Sequence, residues 1–211
     1  MIIPRKTMAI YFGLAILVDL GCSLEVDDRS REGNALGDVQ GSLSSVECEG
    51  LVFTREEEKL ARDVYAALEQ YDSSFANIRA SEQTHMDAVA TLLTRYGVDD
   101  PVAGNAIGEF TNPTLQQLYG TLVERGSHSL QAALAVGVEI EELDINDIEE
   151  SSESVTHDDI LDTYDNLTRG SRNHLRTFYE KLISAGGRYL PRHLDVAEFQ
   201  AIIESPMERG R

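Results

Sequence analysis

Ser81-Glu82-Gln83-Thr84-His85-Met86 sets a carboxylate and an imidazole one helical turn apart, in a run whose apolar residues recur at steps of three and four. Phe75, Ile78, Glu82, His85, Val89, Leu92 and Tyr96 fall on one stripe of an α-helix. Glu82 and His85 are therefore directed toward the buried side. Burying such groups without partners is costly, and a metal ion satisfies both at once. Taken alone, the spacing also fits a solvated glutamate beside a core histidine bonded to a carbonyl, so other helices have to decide.

Two later segments direct polar groups the same way. Between Thr114 and Glu150, Leu134, Val138, Ile145 and Ile148 form an apolar stripe, and Glu141 falls inside it, three residues after Val138 and four before Ile145. Glu142 borders that stripe as the reserve candidate. Asp144, on the other flank, is either a ligand or an acceptor behind one. The bland reading of these acids is a solvated face. From His157 to Ala185, the stripe is Ile160, Tyr164, Leu167, Ser171, His174 and Phe178. His174 is then a buried histidine, structural or ligating.

A fourth segment, Glu56 to Tyr65, contains Glu58-x-x-Ala61-x-x-Val64-Tyr65, which resembles the first helix of ferritin-like carboxylate proteins. Such bundles build a dinuclear site from one Glu on each of two helices and a Glu-x-x-His on each of the other two. Together with Ser81–Met86, Ile140–Ile145 and Gly170–Leu175, the chain from Leu51 to Pro191 is similar to an uncharacterised ferritin-like family of the DUF2202 type. The resemblance implies an all-α ferritin-like four-helix bundle with one long crossover and a short C-terminal helix. It further implies an iron centre of one or two ions, with manganese or zinc as alternatives, held by Glu58, Glu82, His85, Glu141 and His174, with Tyr65 as a redox neighbour. It supplies no reaction. Ser171 departs from the pattern, since a Glu belongs three residues before His174; the serine removes a bridging carboxylate and is expected to hold a water. Arg172 is expected to pair with a spare acid. Glu56 and Glu57 are expected only to complement the dipole of a first turn.

The connections suit that fold. Gln70 to Ser74 is enough for an antiparallel hairpin. Gly97 to Pro113, rich in Gly, Pro, Asn and Asp, could extend ~50 Å, more than the ~35 Å of a helix of about 23 residues, so it can cross from one end of the bundle to the other. Gly126-Ser127 is a candidate break, and Asp195 an N-cap for a last helix ending at Glu204.

A formal charge of −19, from 18 basic and 37 acidic residues among 211, excludes the basic footprint that nucleic acid or an anionic membrane surface requires. Arg5 and Lys6 followed by the apolar run Met8 to Val18 read as an export signal, too short to span a bilayer core of ~30 Å. Leu20-Gly21-Cys22 resembles the end of a bacterial lipobox, with Asp19 out of pattern. Residues 1–22 are thus read as a signal peptide of possible lipoprotein type, with a lipid anchor on Cys22, and 23–50 as a flexible acidic tether ahead of a domain over 51–204. Without the lipid, a Cys22–Cys48 disulfide becomes available in an oxidising compartment. His128, His157 and His193 are read as surface residues.

Three functions fit: an oxidoreductase whose carboxylate-bridged iron reacts with O2 or peroxide, a protein that holds a cation without turnover, and a bundle that has lost its centre.

Overall fold

The computed structural model describes residues 42–210, which form six α-helices: α1 Ser45–Leu68, α2 Ser73–Tyr96, α3 Pro113–Gly126, α4 Leu130–Ser152, α5 Asp158–Ser184 and α6 Val196–Glu204. No strand occurs among the described residues. The export signal, Asp19, the lipid anchor on Cys22, its pairing with Cys48 and the tether up to residue 41 lie outside them.

The first helix begins before Leu51, which corrects the C-terminal bound of the tether. Ser44 and Glu47 form a reciprocal capping box, and Glu47 also accepts hydrogen bonds from the Thr156 backbone N–H (2.8 Å) and hydroxyl (3.0 Å). His157, placed 2.8 Å from the same oxygen, belongs to this clasp rather than to the open surface. Burial alone would push the Glu47 carboxyl up, but the contacts from His157, Thr156 and Ser44 outweigh it and hold it well below the usual range. A carboxylate depressed in the fold stabilises above its unfolded value of about 4.3 and stops doing so as pH falls through the folded value. Glu47→Gln is therefore expected to lower stability by ~1–3 kcal/mol at neutral pH. In urea melts the gap to wild type should close as pH drops below about 4.3; a pH-independent gap would contradict this.

Four long helices surround the core. Leu51 and Val52 at the start of α1 pack with Leu92 and Leu93 at the end of α2, Ile148 at the end of α4 and Ile160 at the start of α5. At the other end Leu68, Phe75, Leu134, Phe178 and Leu182 meet. Hence α1–α2 and α4–α5 are two antiparallel hairpins, and α2 stops at the end of the bundle opposite to where α4 starts. Residues 97–129 make the crossing.

That crossing is not an extended linker. It turns repeatedly, contains α3, and is fastened along α1: Arg55 to Asp100 (2.9 Å), Lys59 Nζ to the Ala106 carbonyl (2.8 Å), and the Gly108 N–H to Asp63 (2.9 Å). Glu56 accepts the Thr111 and Asn112 N–H groups at the entry to α3. Glu56 and Glu57 lie in the middle of α1 and are buried, so the first-turn dipole role expected for them is wrong; the helix begins more than two turns earlier. The expected break at Gly126-Ser127 does separate α3 from α4, and Asp195 caps α6 by accepting the Glu198 N–H (2.9 Å). Beyond α6, Glu208 is gripped by Arg172 and Arg176, so Arg172 pairs with the C-terminal tail and not with an acid beside the buried cluster.

Candidate metal centre

Glu58 on α1, Glu82 and His85 on α2, Glu141 on α4 and His174 on α5 converge between the two hairpins. Two overlapping triads result, Glu58–Glu82–His85 and Glu82–Glu141–His174, each with donor atoms within 4.8 Å of one another. Glu82 belongs to both. His85 Nδ1 lies 2.8 Å from Glu82 Oε2 and 3.2 Å from Glu58 Oε2. His174 Nδ1 lies 2.8 Å from Glu82 Oε1 and 3.4 Å from Glu141 Oε2. The two rings stack with centroids 5.6 Å apart.

Several of these atoms lack hydrogen-bond partners. His174 Nδ1 and Glu82 Oε1 approach closely yet make no hydrogen bond with each other or with anything else, and Glu58 Oε1 and Asp144 Oδ1 are likewise buried without a partner. The groups behind them are in place: His174 Nε2 contacts the Ser81 hydroxyl (3.1 Å), which orients the ring, and Tyr65 donates to Glu141 Oε1 (2.5 Å).

The electrostatics agree. Burial raises the Glu58 carboxyl to about 6 even against the nearby His85, and burial together with Glu82 raises Glu141 to about 7. Glu82 moves the other way, because His174 and His85 outweigh its burial. His174 rises to about 10, since Glu82 and Glu141 overcome the desolvation that would lower it, and His85 rises for the same reason beside Glu58 and Glu82. Burial and then Glu141 push the Tyr65 phenol up, so it stays a neutral donor. Protons thus partly neutralise the cluster, and a divalent cation would replace them. Carboxylate oxygens with imidazole nitrogens are a donor set for zinc, iron or manganese.

Of the other sequence candidates, Asp144 lies at the cluster and Glu142 does not. One residue further round α4, Glu142 accepts the N–H groups of Arg192, His193 and Leu194 and the Tyr189 hydroxyl, so it anchors the approach to α6. Ser171 lies within donating reach of Asp144 and of the Leu167 carbonyl. Sequence reasoning gave Ser81 no role and misplaced the buried Glu57, whose carboxyl is pushed up by burial and then by Asp147 and Asp144. The recurrence of acids at Asp144 and Asp147, one turn apart on α4, was a cue for the second. It also overlooked Gly170, where an added Cβ would lie 2.6 Å from His85 Nε2.

The chain has relatives among known proteins. The chain is 48% identical over 172 residues to uncharacterized protein MJ0754 of Methanocaldococcus jannaschii, an alignment spanning 80% of this chain and 92% of that one. The crystal structure of hypothetical protein MJ0754 superposes with a TM-score of 0.78 at 45% identity, covering 83% of this chain and all of the other. The family model described as uncharacterized protein domain DUF2202 matches residues 47–206, and the chain belongs to that family.

Proposed function

We propose that this protein is a ferritin-like metalloprotein whose bundle holds two iron-type ions at the overlapping triads and reacts with O2 or peroxide. The observation that carries the reading is the burial of Glu58, Glu82, His85, Glu141 and His174 in two triads that share Glu82, with Glu58 Oε1, Glu82 Oε1 and His174 Nδ1 left without hydrogen-bond partners. A bundle that had lost its centre would have no reason to keep such groups unpaired, because each costs free energy in a dry core.

Iron bound there would supply the electrons, two ferrous ions becoming ferric as O2 is reduced to peroxide, or peroxide to water. Carboxylates favour the harder ferric state, and imidazoles retain the ferrous one. Glu82 holds the two positions at a fixed spacing. Ser81 orients His174, and Tyr65 keeps Glu141 in place with a hydroxyl that stays protonated.

Anaerobic loading with ferrous iron, metal analysis per chain, and rapid mixing with O2 or peroxide test the proposal. About two ions per chain, and oxidation faster than for free ferrous iron, are expected. Retention of iron without faster oxidation would leave a cation-holding protein, and failure to retain any metal would end the reading.

A further inference from the structure

We propose that Asp144 is a ligand of this centre, giving it from α4 the carboxylate that Ser171 does not provide from α5. The inference rests on the dinuclear reading above. Asp144 follows Glu141 by three residues, so both project from the same face of α4. It is buried; Oδ2 accepts the Ser171 hydroxyl, while Oδ1 has no partner. The carboxylates acting on it include Glu58, Glu141 and Glu82 of the two triads, and Glu57 outside them.

Charge supports the assignment. Two divalent cations with Glu58, Glu82 and Glu141 ionised and both histidines neutral would leave one positive charge in a dry core, a costly state. Ionised Asp144 brings the buried site to neutrality. Ser171 then has a definite task. A glutamate there would reach into the space the Asp144 carboxylate already fills, whereas the short hydroxyl leaves that space free and orients the aspartate. The carboxylate has changed helix while the number of donors is kept at four carboxylates and two imidazoles.

Manganese(II) is the probe, read by metal analysis per chain and by electron paramagnetic resonance, which separates spin-coupled pairs from isolated ions. Wild type is expected to hold two coupled ions. Asp144→Asn, which keeps the shape and the Ser171 contact, should retain at most one, with the spectrum of an isolated ion. Ser171→Ala should keep two while binding the second about tenfold or more weakly, as for loss of a group that orients a ligand. The double variant Asp144→Ala with Ser171→Glu should recover the coupled signal, and it decides the matter if circular dichroism shows Asp144→Asn misfolded. Two coupled ions with unchanged affinity in Asp144→Asn would overturn the role of Asp144 and leave the dinuclear reading standing. A wild type that binds no manganese or iron would overturn both.

Discussion

Glu82→Ala is expected to empty both positions at once, because Glu82 is the side chain common to the two triads. Removing a group that merely orients a ligand costs about 10–100-fold in affinity, so losing a shared ligand should exceed ~100-fold at each position. Thermal melts give an independent readout. Metal at a thousandfold excess over its dissociation constant stabilises by ~4 kcal/mol, which for a domain of this size raises the midpoint by roughly 10 °C. Wild type should show that rise and Glu82→Ala should not. Glu56→Ala, also buried on α1, is the contrasting case. It loses the bonds to Thr111 and Asn112 that pin the crossover, lowering baseline stability by ~1–3 kcal/mol, while the metal-induced rise persists. Equal metal content and equal rises in all three proteins would contradict the shared-ligand assignment.

Gly170→Ala is expected to weaken metal binding although it improves the helix. An alanine in a helix interior is favoured over glycine by ~0.5–1 kcal/mol, so the metal-free protein has something to gain. The new methyl, however, would sit 2.6 Å from His85 Nε2 and 2.7 Å from Cε1. The ring must move, and its Nδ1 moves with it away from Glu58 and Glu82. Affinity at the Glu58–Glu82–His85 position should fall by about 10-fold or more. Gly120→Ala on α3, where an added Cβ meets nothing within 4 Å, should add stability and leave metal binding unchanged. Competition titration with a coloured chelator reads both; unchanged affinity in Gly170→Ala would show that His85 does not need this close approach.

Periodicity made the inner faces legible. Glu82, His85, Glu141 and His174 could be assigned because each interrupts an apolar stripe whose register is unambiguous, and the same logic preferred Glu141 to Glu142, which the structure places on another face. The polar stretch of α1 was not legible. Arg55, Glu56, Lys59 and Asp63 have the composition of a solvated surface, yet all are buried because the crossover lies on them. Whether a polar face meets water or a loop depends on where a distant segment returns, and no local pattern records that. The early start of α1 was readable in principle, since Ser44 followed three residues later by Glu47 is a capping signature; its acidic, glycine-containing surroundings disguised it.

The two positions also differ in what must assemble before each exists. Glu58, Glu82 and His85 all belong to the α1–α2 hairpin, with His85 and Glu58 only 27 residues apart along the chain. Glu141 and His174 come from the other hairpin, and His174 is 93 residues from its neighbour Ser81. Closing the longer loop costs only about 1 kcal/mol more in chain entropy, so the real distinction is topological. One triad is local to a single supersecondary unit, and the other is split across the interface between two. An ion in the first would report that a hairpin has formed; an ion in the second would act as a rivet that reports, and strengthens, the union of the two halves.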